Sequence, residues 1–208
     1  MRTPALVLYA AATVAVAFLV SLCGCQSKRD VGNPPQASPS CGSHDVPTRT
    51  FDRADRREPA VTIPIPYGWR YVQGSGQSFV RGILDNPGLA VGSKVPNVLV
   101  AVDHSDLPRG RRYPVVPGWQ ALSEEFSDVA RSASVTSVRM VGKCGHPGME
   151  VEYVIDGQKS SAFIVAVEDT DRTWRARVNF LSPAPANPTW LADTKAMVDG
   201  LSVSGPGR

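Results

Sequence analysis

Apolar and polar positions along the chain fall into three regimes. From Ala5 to Val20 the run ALVLYAAATVAVAFLV carries no charge, as an export-signal apolar region does. From Gln26 to about Pro59 large apolar residues nearly vanish in favour of Pro, Ser, Gly and charge, the composition of a tether. From Ala60 onward periodicity takes over. Val61, Ile63 and Ile65 alternate with Thr62 and Pro64, which predicts an edge strand because proline removes a ladder donor. Arg70–Val72, Ser78–Leu84 and Asn97–Asp103 are further strand candidates, with the Pro/Gly loop Asp85–Pro96 between the last two. After the basic loop Leu107–Val116, Pro117 suits the first turn of a helix. Trp119, Leu122, Phe126, Val129, Ala130 and Ala133 then recur at helical spacing, with Glu124, Glu125 and Asp128 elsewhere around the turn.

The second half reads as an antiparallel meander. Val135–Val141 alternates, and Met149, Val151, Tyr153 and Ile155 alternate with Glu150 and Glu152. Asp156-Gly157 is a two-residue hairpin signal. Ala162–Val167 is apolar at every position, which predicts a central strand covered on both faces. Trp174, Ala176, Val178 and Phe180 alternate with Arg175 and Arg177, which would oppose Glu150 and Glu152 if the sheet order brought those strands together. Asn187-Pro188 is an N-cap followed by a first-turn proline; Trp190, Thr194, Met197, Val198 and Leu201 follow at helical spacing, with Gly200 near the stop. The pattern predicts an α+β domain over residues 60–208, an antiparallel β-sheet flanked by two main helices, behind a tether at 25–59 and a leader at 1–24.

Composition narrows the function classes. With 42 % apolar and 20 % charged residues, the 208-residue chain buries a core, and wholesale disorder is excluded. A formal charge of +3 without a basic stripe argues against nucleic acid as a partner. At the end of the apolar run, Leu22-Cys23-Gly24-Cys25 resembles a bacterial lipobox. That resemblance implies acylation of Cys25, loss of residues 1–24, and attachment to the outer face of the cell membrane through lipid. Cys23 fits less well, since it would place bulky Leu22 where a small residue is wanted. An uncleaved anchor is the alternative, although the run falls short of the ~20 residues a spanning helix needs. Cys41 and Cys144 are then left on an oxidising side, where a disulfide is expected. Free thiols, or a zinc set completed by His44 and His146, are the alternatives. The segment FDRADRREP nearly cancels its own charge and reads as a solvated connector, or else as a patch for anionic lipid.

The layout of the chain resembles the LpqN/LpqT-type lipoproteins of mycobacteria. The features that carry the resemblance are the lipobox, the Pro/Ser tether, Pro66-Tyr67-Gly68-Trp69, a middle amphipathic helix, and a hairpin run ending in a helix and Leu201-Ser202-Val203. It covers most of residues 60–203 and implies a PsbP-like sandwich, a fold that hosts binding and assembly proteins rather than one chemistry. Cys41 and Cys144 depart from the family pattern.

Catalytic signatures are missing from the sequence. Ser43-His44-Asp45 are chain neighbours in the tether and cannot take triad positions. Gly74-Ser75-Gly76-Gln77-Ser78 lacks the lysine of a phosphate loop and the third glycine of a dinucleotide fingerprint. Asp103-His104-Ser105-Asp106 closes a strand, where a general base could sit. No pattern asks for a cofactor or a metal. Two classes remain. One is a non-catalytic envelope lipoprotein that binds an amphiphile, a glycan or an envelope protein. The other is an envelope hydrolase or transferase whose groups meet only in three dimensions. A pocket joining His104 or His146 to carboxylates would favour the second, and an apolar groove the first. Arg109, Arg111 and Arg112 beside Tyr113 form a candidate contact for carboxylate or phosphate, including anionic headgroups; a solvated loop is the plain alternative.

Overall fold

Seven antiparallel strands make the main sheet, and three more make a small one beside it. The structure, a computed structural model, describes residues 41–42, 46–72, 76–105 and 115–206. Cys25, Ser43–Asp45 and the Arg109–Tyr113 loop lie outside the described residues. The elements are β1 (Thr48–Thr50), β2 (Pro59–Pro64), β3 (Arg70–Val72), β4 (Val80–Asp85), β5 (Asn97–His104), α1 (Gly118–Ser132), β6 (Ser134–Lys143), β7 (His146–Ile155), β8 (Gln158–Glu168), β9 (Thr173–Leu181), α2 (Pro188–Gly200) and β10 (Ser202–Pro206). The main sheet runs β3-β4-β5-β9-β8-β7-β6 and the small one β1-β2-β10. Among the described residues, no helix is long and apolar enough to cross a membrane.

Strand β8 shows why both faces of the sheet are covered. Phe163, Val165 and Val167 point into the larger core with Val61, Ile63, Trp190 and Met197. Ala162, Ile164 and Ala166 alternate to the opposite face and meet Ala121 and Leu122 of α1. Each large aliphatic or aromatic side chain so buried contributes about 1.5–3 kcal/mol. The β7–β8 connection is the expected tight hairpin, with Asp156 and Gly157 both left-handed at φ 50° and 75°.

Three expectations need correction. The folded body does not begin at residue 60: β1 pairs with β2, and Phe51 is buried in the core, its N–H donating to Val61 O at 2.9 Å. Within the supposed solvated connector, Glu58 is wholly buried. Strand β2 is therefore the centre of the small sheet and not an edge; its prolines, Pro59 and Pro64, occupy the strand ends, where a missing donor does little harm. The third correction concerns α1. Trp119 is 64 % exposed while Glu125 is buried, so the helix is rotated relative to the apolar arc. Its first turn lies close on the sheet: a Cβ on Gly118 would stand 2.7 Å from Pro147 Cγ, and Gly118 N–H donates to Glu168 Oε1 at 2.7 Å. Glu125 is drawn inward by Arg175 and Arg177 of β9.

Cys41 and Cys144 are joined by a disulfide, with Cα atoms 5.3 Å apart. Cys144 and Gly145, at φ 55° and 79°, form the two-residue turn between β6 and β7. The bridge thus fastens residue 41 to the tip of the outermost hairpin. Bridged sulfurs are not thiolate ligands, which removes the zinc set.

Candidate functional site

The site grows from the placement of α2. Asn187 caps this helix, its side-chain carbonyl accepting from Thr189 N and Trp190 N at 2.9 and 3.2 Å, and Pro188 follows in the first turn. The Pro66–Trp69 segment holds the same helix: Trp69 Nε1 donates to Asp193 Oδ2 at 2.7 Å, and its ring lies 5.7 Å from that of Trp190. At the far end, Lys143 Nζ donates to the carbonyls of Val198 and Asp199 at 2.9 and 2.7 Å. Burial lowers the Lys143 pKa, and Asp199 pulls it the other way.

Held this way, α2 buries Trp190 and Met197 in the core and leaves a groove between itself and β7–β8. Leu191, Thr194, Lys195 and Val198 form one wall at the three- and four-residue spacing of a helix face. Register sets Glu150 opposite Phe163, and Glu152 opposite Ser161, along the floor. Two cavities, of about 340 and 490 Å³, share Glu152, Ser161, Phe180, Leu191 and Thr194 and form one continuous trough. Phe163 and Phe180 lie beneath it, and Leu191 is 53 % exposed beside it. Around the rim, Arg139 pairs with Glu150 and Lys195 with Asp199, while Lys159 and Glu152 complete an equal count of cations and carboxylates.

Arg175 and Arg177 do not reach Glu150 or Glu152, because β8 separates β9 from β7. They join Asp103 of β5 to Glu125 of α1: Arg175 Nε lies 2.7 Å from Asp103 Oδ1, Arg177 Nη2 lies 3.0 Å from Asp103 Oδ2, and both guanidiniums contact Glu125. Burial raises the Glu125 carboxyl above its ordinary value, outweighing the two arginines. Stability from this group is therefore greatest at low pH and declines as pH rises through the folded value.

A second cavity of about 360 Å³ lies at the ends of β5 and β9, lined by His104, Asp55, Glu58, Arg81 and Trp174 among others. It brings His104 near carboxylates, as a catalytic site would, yet two of them, Glu58 and Asp103, are engaged. Glu58 accepts Arg81 Nε on one oxygen, and Ala54 N–H and Asp55 N–H on the other at 2.8 and 3.2 Å. Asp103 is held by its two arginines. His104 stands edge-on to Trp174, ring centroids 5.2 Å apart. His146 lies on β7, its pKa lowered by burial and raised in part by Glu168. Among the described residues, no group of three His, Cys, Asp or Glu is placed to hold a metal.

Beside that cavity, Arg57 clamps the β8–β9 turn, with Nη2 2.6 Å from Asp169 Oδ2 and 2.5 Å from Asp171 Oδ1. Hydrogen bonds from Arg57 and then Arg172 depress the Asp171 pKa to about 2, against an ordinary 3.8. A depressed carboxylate stabilises above its unfolded pKa and stops doing so as pH falls through the folded one. Arg57→Gln should therefore lower the urea midpoint at about pH 5, and the gap from wild type should close by about pH 2. An equal gap at both pH values would show that the clamp acts through packing and not charge.

The groove was not among the sites expected from sequence. Its one signal was Leu191, an apolar residue standing off the helical stripe that begins at Trp190.

No family model matches the chain, and no curated protein matches it. Solved structures do. The LpqN protein of Mycobacterium tuberculosis, described as involved in cell envelope biogenesis, aligns over 77 % of this chain and 92 % of its own, at 11 % identity and a TM-score of 0.55. The cyanobacterial PsbP of Synechocystis aligns over 79 % of this chain and 97 % of its own, at 12 % identity and a TM-score of 0.47. What the chain shares with LpqN at this identity is its α+β fold, two helices on antiparallel sheet.

Proposed function

We propose that this chain is a non-catalytic envelope lipoprotein, held at the outer face of the cell membrane through acylated Cys25, that binds an amphiphile in the groove between α2 and β7–β8. The observation that carries the binding role is the make-up of that groove: a helix wall in which Leu191 and Val198 flank Thr194 and Lys195, an aromatic underlayer at Phe163 and Phe180, and rim charges in balance. Such a trough favours an acyl or isoprenoid portion along α2 and a neutral or zwitterionic head over Glu150 and Glu152. Leu22-Cys23-Gly24-Cys25 supports the anchor, and two or more acyl chains make the attachment effectively stable. The Cys41–Cys144 bridge suits an oxidising compartment. LpqN, whose fold is shared, works in envelope biogenesis, which supports the same setting. Engagement of Glu58 and Asp103 near His104 supports a binding role over hydrolysis.

The test is native mass spectrometry of the chain purified from its own membranes. Wild type should carry a lipid adduct beyond its covalent acyl mass, and Leu191→Glu, placing a charge on an exposed wall position, should lose it. Cys25→Ser should lose the covalent acyl mass and leave detergent-phase partitioning or processing altered. Absence of an adduct, or one indifferent to Leu191→Glu, overturns the groove; unchanged mass and partitioning in Cys25→Ser overturn the anchor.

A further inference from the structure

The cavity at the ends of β5 and β9 has a different chemistry from the groove. Trp174 lines it and is 3 % exposed, yet its indole N–H finds no acceptor among the described residues. A buried donor left unpaired is costly, so an oxygen brought to it from the cavity would be favoured. Other groups around the same space hold unused hydrogen-bonding capacity. Arg172 engages Asp171 through Nε alone, and its guanidinium lies 5.4 Å from the Trp174 ring centroid. Asp55 accepts Arg57 N–H on Oδ1 at 2.8 Å, leaving Oδ2 open, and the Ser78 hydroxyl has no partner among the described residues. Phe79, 40 % exposed, adds an apolar ring to the lining.

Charge decides what kind of ligand this suits. Among the described lining residues, Glu58 neutralises Arg81, Arg175 and Arg177 hold Asp103, and Asp55 stands against Arg172, so the lining offers little net charge to draw an anion or a cation. Donors and acceptors are interleaved instead, which matches a molecule whose every polar group both donates and accepts: a hydroxyl. We propose that this cavity is a saccharide site, taking one neutral sugar ring with its apolar face against Phe79, a ring or hydroxyl oxygen on the Trp174 indole N–H, and hydroxyls bridging Asp55 and Arg172. The volume of about 360 Å³ lies in the range of small-molecule pockets. This site is separate from the amphiphile groove and does not depend on it.

The full chain labelled with ¹⁵N-tryptophan has four indole signals, from Trp69, Trp119, Trp174 and Trp190. Trp174→Phe assigns the one of interest. Glucose, galactose, mannose, arabinose and myo-inositol are titrated separately to about 50 mM, with inorganic phosphate as the anionic probe. At least one sugar should move the Trp174 signal saturably, with a dissociation constant of about 1–10 mM, as befits a single ring held by few hydrogen bonds. Asp55→Asn and Arg172→Gln should each weaken that response by about fivefold or more, the loss of one hydrogen bond. Three results overturn the proposal: no sugar moves the signal, phosphate alone moves it, or the response is unchanged in both variants.

Discussion

Glu58→Ala is expected to destabilise the fold by about 3–5 kcal/mol, seen as a fall in urea midpoint. The carboxylate is wholly buried and has three donors: Arg81 Nε, and the N–H groups of Ala54 and Asp55. Arg81 is itself only 10 % exposed, and its remaining nitrogens donate to the carbonyls of Ser78 and Val102. Deleting the acid strands a guanidinium in the interior and leaves two backbone donors of the turn unpaired. Glu58→Gln, which keeps the shape and one acceptor, should cost less. Replacing Glu58 and Arg81 together by methionine should recover part of the loss, since a buried ion pair is often matched by apolar side chains of similar volume. A loss below about 1 kcal/mol in Glu58→Ala would mean that the 51–58 segment rearranges around Arg81 and that the acid does not hold it.

Removing the bridge by Cys41→Ser with Cys144→Ser is expected to cost about 2–4 kcal/mol, through restored freedom of the unfolded chain. The linked residues are 103 apart in sequence, long enough for loop closure to weigh heavily. Both ends sit in ordered structure: Cys144 occupies the β6–β7 turn, and a Cβ on Gly42 would stand 3.5 Å from Ser202 Cβ of β10. The double variant should therefore remain folded with a lower urea midpoint, and reduction of wild type should reproduce the shift. Non-reducing peptide mapping should recover the linked pair. Two freely alkylated thiols in protein taken from its native compartment would overturn the bridge.

Local chemistry accounts for what was legible in the sequence. The two-faced run Ala162–Val167, the Asp156-Gly157 turn and the Asn187-Pro188 cap each depend on contacts within a few residues, and each stands where the pattern put it. Strand β1 was hidden because Thr48–Thr50 has no apolar alternation, and its partner, β2, is reached only through the connector. For α1, spacing supplied an arc but not which part of it faces the sheet; the buried Glu125 is intelligible only once β9 presents Arg175 and Arg177 beneath it. The groove was illegible for a related reason. It exists because α2 covers part of the sheet and leaves the neighbouring strand open, a fact about strand order and helix placement rather than about any segment. The Arg109–Tyr113 loop and Cys25, the most readable chemistry in the sequence, lie outside the described residues.

The bridge also decides where mechanical load enters the molecule. In an acylated chain, fifteen residues, Gln26–Ser40, separate the anchored cysteine from Cys41, and tension along them meets the disulfide before it meets any hydrogen bond of β1. Strand β1 has only three residues paired to β2 and would peel readily if pulled from its free end. With Cys41 bonded to Cys144, the force passes instead into the β6–β7 hairpin, two ten-residue strands paired along their length but for one register shift at Val135/Ser137, and joined through β7 to the main sheet. Shear along such a ladder loads many hydrogen bonds at once, whereas peeling breaks them singly. In an acylated chain the staple thus shields the three-residue strand β1 from drag on the anchor, and reduction would expose it.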